Sequence, residues 1–208
     1  MKIGIDFDNT IIDYGDLFHK YAIQKYSMPS SVPHDKNAVK SYCLSQPDGN
    51  AVWTELQGII YGERILEATM FEGLDHFLRR CKHEGVAVSI ISHKSEYPAL
   101  GPKNNLRLAA KKWLQLNGFF DKSSYGLTDA SVFFESTIYF KVMRIGIENC
   151  TFFIDDLKDI FDEADFPSEV TKILFSQESI SIPNLYICNN WKSIENLIFH
   201  NVNKQEKA

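Results

Sequence analysis

Short apolar segments alternate with helical patterns along most of the 208-residue chain, and this alternation most restricts its possible folds. The predicted strands are Ile3–Phe7, Val86–Ile91, Val132–Phe134, Thr151–Ile154, Lys172–Phe175 and Leu185–Ile187. Their apolar runs are nearly continuous, which is typical of strands that are buried on both faces. The sequence therefore predicts an α/β fold with a Rossmann-like, mainly parallel sheet flanked by helices.

Amphipathic spacing and helix-end signals predict the helices between these strands. They are Leu17–Tyr26, Ala51–Ala68, Gly73–Glu84, Lys103–Leu116, Thr137–Ile145, Leu157–Ala164 and Trp191–Phe199. The stretch from Tyr14 to Met70 contains helical and loop-like segments but no convincing strand. We therefore predict a small helical cap at residues 14–70, inserted after the first strand of a core formed by residues 1–13 and 71–208.

The charge and the cysteine content limit which binding partners and which cellular compartment are expected for this chain. The chain has 27 acidic and 22 basic residues, a net charge of −5, and no dense basic run, which argues against nucleic acid. None of the four cysteines forms a C-x-x-C pair, so reduced thiols are expected rather than a zinc or redox site. Without a signal-peptide pattern or an apolar run of about 18 residues, we expect a cytoplasmic protein with no membrane partner.

Polar residues follow three of the predicted strands. Asp6 and Asp8 lie at the end of the first, the segment 92–94 (Ser-His-Lys) follows the second, and Asp155 and Asp156 follow the fourth. Ligands of open parallel sheets bind at the carboxyl ends of the strands, where these residues would meet. Four carboxylates there would repel one another, and a hard divalent cation would offset their charge. The sequence therefore predicts a Mg²⁺ site.

Lys141 and Ser92 would complete such a site for a phosphate group. The ammonium of Lys141 supplies positive charge and the hydroxyl of Ser92 supplies a donor to phosphate oxygens. Simpler interpretations remain open for the same residues. Asp155 and Asp156 could cap a helix, Lys141 could be a solvated helix residue, and Ser92 could belong to a turn.

The segment Asp6-Phe7-Asp8-Asn9-Thr10 resembles the D-x-D-x-T signature of the haloacid dehalogenase (HAD) superfamily. Residues resembling its second, third and fourth motifs follow in the same order, and they are Ser92, Lys141 and the pair Asp155-Asp156. The resemblance covers about residues 1–13 and 71–190, and the predicted cap resembles the superfamily only in its position. It points to an uncharacterised branch of capped HAD hydrolases.

This resemblance implies a role for each matching residue. Asp6 would be the nucleophile that forms an aspartyl-phosphate, and Asp8 the general acid and then the general base. Thr10 and Ser92 would hold phosphate oxygens or orient the nucleophile. Lys141 would neutralise the nucleophile and the transferring group.

The implied metal ligands are Asp6, the backbone carbonyl of Asp8, and the pair Asp155 and Asp156. Of that pair, Asp156 is the favoured direct ligand. His93 and Lys94 depart from the usual residues after the second motif, and we expect them to add phosphate or substrate contacts.

The resemblance implies a Mg²⁺-dependent phosphatase of a small phosphorylated metabolite. A 5′-nucleotidase is a narrower version of the same chemistry. A catalytically weak protein that binds phosphate or a partner is the alternative of a different class. A receiver-type signalling domain uses similar residues. In that family, however, the paired acids come first, the phosphorylated Asp lies on a middle strand and no cap follows the first motif, so the order here disfavours it.

The five tyrosines of the predicted cap have two possible uses. They are Tyr14, Tyr21, Tyr26, Tyr42 and Tyr61. They could stack on a base or sugar of the substrate, although aromatic residues on a helix more often pack. Trp53 and Trp113 lie on predicted apolar helix faces and are expected in the core.

Overall fold

The computed structural model describes residues 1–178 and 181–205. The chain divides into two compact units. The first unit consists of Met1–Ile11, Met70–His93 and Phe119–Ala208, and the second of Ile12–Thr69 and Lys94–Gly118. The sequence-based division placed residues 94–118 with the core, whereas here they join the helical unit. That the second unit acts as a cap remains a prediction, and residues 206–208 of the predicted core lie outside the described part.

The first unit is built on a six-stranded parallel sheet. The strands of the chain are β1 (Lys2–Ile5), β2 (Ile12–Asp13), β3 (Thr69–Met70), β4 (Ala87–His93), β5 (Val132–Glu135), β6 (Phe152–Asp155), β7 (Thr171–Phe175) and β8 (Leu185–Cys188). The sheet has the order β5-β4-β1-β6-β7-β8, and every neighbouring pair is parallel. The predicted α/β class and parallel sheet are confirmed. The two short strands β2 and β3 form a separate sheet that was not predicted.

The helices of the described chain are α1 (Gly15–Tyr26), α2 (Lys36–Leu44), α3 (Gly49–Gly58), α4 (Leu74–His83), α5 (Leu106–Leu116), α6 (Ile138–Ile147) and α7 (Trp191–Gln205). Helix α6 packs on the sheet through Val142 and Ile145, which join Ile91 and Phe153 in one buried cluster. Helices α4 and α7 pack on each other, with the ring centroids of Phe77 and Trp191 4.9 Å apart. No helix in the described part of the chain has the length and apolar character needed to cross a membrane.

Gly4 allows β1 and β6 to lie in the register that forms the candidate site. A Cβ atom at Gly4 would lie 2.6 Å from Cδ2 of Phe153 and 2.9 Å from Sγ of Cys150. Phe153 is fully buried, so a displaced ring would have to move within the core. The glycine thus lets the ring cover β1 while Ile5 pairs with Ile154.

We expect Gly4→Ala to lower the free energy of unfolding by about 1–3 kcal/mol, because the added methyl group overpacks this contact. Gly146→Ala is the matched control, since its Cβ would lie at an ordinary 3.4 Å from Cγ of Pro167. The control should be neutral or stabilising by up to about 1 kcal/mol, because alanine favours a helix. Urea unfolding curves measure both variants, and equal stabilities would show that Gly4 is not needed for packing.

Three helical predictions differ from the structure. Helix α2 was not predicted, although Asp35 caps it by accepting hydrogen bonds from the backbone N–H groups of Asn37 and Ala38, each at 2.9 Å. The predicted helix Ala51–Ala68 is instead α3 followed by a π-helical turn (Ile59–Glu63) and a 3₁₀ turn. The α-helix ends at Gly58, where a Cβ atom would overlap the carbonyl oxygen of Leu100.

The third difference is the helix predicted at Leu157–Ala164, which is only a 3₁₀ turn at Lys158–Asp162. The adjacent residues Ile160 and Phe161 are both buried there.

An aromatic cluster stabilises the second unit. Phe18 stacks on Trp53 at 4.9 Å between ring centroids, and Tyr14 meets Tyr61 edge-on at the same distance. The indole Nε1 of Trp113 donates a hydrogen bond to the carbonyl oxygen of Ala68 at 3.0 Å. Trp53 and Trp113 are buried, as predicted. Tyr14 is also buried, which supports the packing interpretation for that tyrosine.

Candidate active site

Two carboxylates meet where β1 and β6 end. Ile5 is the last residue of β1 and pairs with Ile154, and Asp155 is the last residue of β6. The backbone N–H of Asp6 donates to the carbonyl oxygen of Ile154 at 2.9 Å. The register therefore places Asp6 and Asp155 side by side, and both side chains are buried.

Lys141 joins these carboxylates from the start of α6. The hydroxyl of Thr137 caps the helix by accepting from the backbone N–H of Phe140 at 3.1 Å. One turn later, the ammonium of Lys141 donates to Oδ1 of Asp6 and to Oδ2 of Asp155, each at 2.6 Å. Lys141 is only 3% exposed, which rules out the solvated-helix interpretation of this residue.

Burial and charge act against each other on these groups. Burial by itself would lower the pKa of Lys141, but the charges of Asp155 and Asp6 raise it above its ordinary value. The lysine therefore stays protonated at neutral pH. Burial raises the pKa of Asp155, while Lys141 and a hydrogen bond of 3.0 Å from the backbone N–H of Leu157 favour its ionised form.

The donor set at this edge of the sheet fits a divalent metal ion. Carboxylate oxygens of Asp6, Asp155 and Asp156 lie within 4.8 Å of one another. Lys141 contacts two of them, Asp6 and Asp155, each at 2.6 Å. Oxygen donors, carboxylates among them, are the ligands that Mg²⁺ prefers.

The loop after β1 buries a hydroxyl that has no hydrogen-bond partner in the described part of the chain. Asn9 adopts a left-handed conformation at φ 60°, and the backbone N–H of Ile11 returns to the carbonyl oxygen of Phe7 at 3.1 Å. Thr10 is fully buried behind this turn, and its Oγ1 is the group without a partner. Such a group costs about 1–3 kcal/mol when unsatisfied, so it is a ready donor for a ligand oxygen.

The remaining predicted site residues are distributed as follows. Ser92 is buried near the end of β4, the neighbour of β1, and His93 is the exposed last residue of that strand. Asp8 is half-buried. Lys94 belongs to the second unit, where its ammonium lies 5.1 Å from the ring centroid of Tyr61.

Sequence analysis did not identify Trp191 as a residue of this site. Its indole Nε1 donates to the carbonyl oxygen of Thr10 at 3.2 Å, and its side chain is fully buried. The two residues lie 181 positions apart, and no local pattern connects them. Thr137, in contrast, had a usable signal, because a threonine directly before helical spacing is a typical N-cap.

No protein-family model matches the sequence, and a search of curated proteins finds no significant relative. Solved structures do match over almost the whole chain. One is a predicted phosphatase from Clostridium acetobutylicum, with a TM-score of 0.56, 16% identity, and coverage of 96% of this chain and 98% of that one.

Two further structures are similar at 13% identity. One is a HAD-superfamily hydrolase of subfamily IA from Geobacter sulfurreducens, with a TM-score of 0.56 and 95% coverage of both chains. The other is a HAD family hydrolase from Deinococcus radiodurans, solved with bound phosphate and sodium. Its TM-score is 0.55, with coverage of 95% of this chain and 94% of that one.

Proposed function

We propose that this chain, which has the fold of the haloacid dehalogenase superfamily hydrolases, is a Mg²⁺-dependent phosphatase of a small phosphorylated metabolite. The observation that carries the proposal is the buried Lys141 ammonium, held at 2.6 Å from both Asp6 and Asp155. A lysine placed between two carboxylates offsets their charge and adds positive charge where a phosphoryl group would be transferred.

Asp6 is the proposed nucleophile. Its carboxylate attacks phosphorus, the bond from phosphorus to the ester oxygen breaks, and an aspartyl-phosphate forms. Asp8, two residues later on the loop, gives its proton to the leaving oxygen. Asp8 then takes a proton from a water molecule that attacks phosphorus, which releases phosphate and restores Asp6.

The buried donors around Asp6 are proposed to hold the phosphoryl oxygens. Thr10 offers the hydroxyl that has no partner in the described chain, and Ser92 offers a second buried hydroxyl on the neighbouring strand. His93 and Lys94 are proposed as further contacts to phosphate or substrate. Dry, fixed donors stabilise transferring charge better than water does, because they need no reorganisation.

Mg²⁺, when bound, would supply positive charge to the phosphoryl oxygens and offset part of the charge of the clustered carboxylates. Asp6, the backbone carbonyl of Asp8, and Asp156 are the proposed ligands. Asp155 already accepts hydrogen bonds from Lys141 and from the backbone N–H of Leu157. It is therefore assigned mainly to positioning Lys141, and Asp156 to binding the metal directly.

A panel of phosphate esters tests the proposed function. We expect Mg²⁺ to be required and EDTA to abolish turnover, with small sugar or acid phosphates among the substrates. A clear preference for nucleoside monophosphates would identify a 5′-nucleotidase. If no ester is hydrolysed at any divalent-ion concentration, the phosphatase proposal is wrong and a phosphate- or partner-binding role replaces it.

Trp191→Phe should reduce kcat about 5-fold with little change in KM, the kinetic equivalent of a lost hydrogen bond of about 1 kcal/mol. Phenylalanine keeps a ring in the packed site but cannot donate to the carbonyl of Thr10, so the loop that carries Asp6 and Asp8 loses a restraint. Trp113→Phe removes a similar indole hydrogen bond in the second unit and serves as the control. If both variants lose the same stability and keep the same kcat, Trp191 is only a core residue.

A further inference from the structure

We propose that α6 carries a self-association surface and that its occupant is a second copy of this chain. The surface consists of five large apolar side chains that remain exposed along the helix. Their exposed fractions are 37% for Ile138, 52% for Tyr139, 50% for Phe140, 41% for Met143 and 61% for Ile147. We call this set the α6 face.

The α6 face forms one continuous ridge. Tyr139, Met143 and Ile147 are spaced four residues apart, so they lie on the same side of the helix, one turn after another. Phe140 widens the ridge, since its ring centroid lies 5.5 Å from that of Tyr139. Contiguous apolar patches of this kind on a water-exposed surface mark interaction sites.

The two charged side chains of α6 pair with carboxylates that do not belong to the α6 face. Lys141 is buried against Asp6 and Asp155. Arg144 pairs with Glu135 at 2.8 Å, and its guanidinium lies 4.5 Å from the ring centroid of Phe133. Neither charged side chain of α6 belongs to the α6 face, so the apolar residues themselves bring no like charges together when two copies meet.

The area of the α6 face suits the centre of a homodimer interface. With about 150–250 Å² for a whole large apolar side chain, the exposed fractions amount to roughly 500 Å² per copy. Two copies supply about 1,000 Å², and a specific interface buries about 1,200–2,000 Å² in total. The exposed polar residues Ser136, Thr137 and Asn149 at the ends of α6 provide the rim.

A two-fold arrangement follows from the spacing. Ridges of residues four apart interdigitate when two helices cross at about −50°, and identical helices do so about a two-fold axis. Met143 is the middle residue of the ridge, so it should lie closest to its own copy. The net charge of −5 on each copy opposes association only weakly, because screening is effective beyond about 8 Å at physiological salt.

Sedimentation of the full-length chain at micromolar concentrations tests this surface. We expect the wild type to have about twice the monomer mass of 23.9 kDa. Met143→Glu and Ile147→Lys should each weaken the dimer at least tenfold with unchanged circular dichroism. Leu108→Glu, which changes an apolar residue of α5 that is 64% exposed, should leave the mass unchanged.

A mixing experiment identifies the contact itself. Met143→Glu and Met143→Lys should each be monomeric alone and should associate when mixed, because opposite charges then meet at the two-fold axis. A monomeric wild type overturns the proposal, as does a dimer that survives both α6 substitutions. Failure of the mixture to associate overturns the two-fold arrangement. None of these outcomes depends on phosphatase activity, so the two proposals can fail separately.

Discussion

Asp6→Asn should reduce the hydrolysis of the best phosphate ester by at least about 10³-fold, because the amide cannot act as the nucleophile. The substitution keeps the size of the side chain and an oxygen that can accept from Lys141. Lys141 also keeps Asp155 as a partner at 2.6 Å, so the fold should remain intact. Steady-state kinetics at saturating Mg²⁺, together with the melting temperature, measure the two effects separately.

Asp162→Asn is the control for this prediction. Asp162 is an exposed aspartate of the same unit that pairs with Lys158 at 2.8 Å on the surface. Its replacement should leave the turnover within about twofold of the wild type, since exposed ion pairs contribute little. A fully active Asp6→Asn variant would contradict the assignment of the nucleophile.

Lys141→Met should have the second large effect and should change both stability and activity. It leaves Asp6 and Asp155 buried without a counter-charge, a change that typically lowers the free energy of unfolding by about 3–5 kcal/mol. Activity should fall by about 10²–10³-fold, the usual loss when a donor to the transferring charge is removed. Chemical unfolding and ester hydrolysis measure these effects, and Lys158→Met, at an exposed lysine, is the control.

The double variant Lys141→Met with Asp155→Asn separates charge balance from packing. It removes one of the two uncompensated carboxylates, so it should recover part of the stability lost in Lys141→Met without recovering activity. Burial raises the pKa of Asp155, and loss of Lys141 removes an opposing effect. The instability of Lys141→Met should therefore shrink as the pH is lowered from neutral. If the loss of unfolding free energy is the same at every pH and is not reduced by Asp155→Asn, lost packing rather than unbalanced charge explains it.

The parallel sheet could be predicted because its strands are nearly continuous apolar runs, which is the pattern of strands that are buried on both faces. The meeting of Asp6 and Asp155 could also be predicted, because both lie where their strands end, and the predicted ends of these two strands were within about two residues of the observed ones. Ser92 and His93 were expected after β4 but are its last residues. Both residues still lie at the carboxyl end of their strand, so the shift does not move them to the other end of the sheet.

The features that escaped prediction depend on contacts between distant segments. The hydrogen bond from Trp191 to Thr10 and the close contact of Gly4 with Phe153 arise only after the sheet has formed. Residues 94–118 joined the helical unit although their sequence reads as an ordinary crossover helix. Helix propensity also did not predict that α3 ends at Gly58. The carbonyl of Leu100 that lies near Gly58 comes from a segment about forty residues later in the chain.

The central claim is that Asp6 carries the phosphoryl group, and trapping that intermediate tests it most directly. The enzyme would be mixed with its best ester and Mg²⁺, quenched in acid, and treated with borohydride, which reduces an aspartyl-phosphate to homoserine. Tandem mass spectrometry of the tryptic peptide covering residues 3–20 should find homoserine at position 6, only when substrate was present and never in Asp6→Asn. Modification at Asp8, Asp155 or Asp156 instead, or hydrolysis with no modified aspartate, would contradict the account.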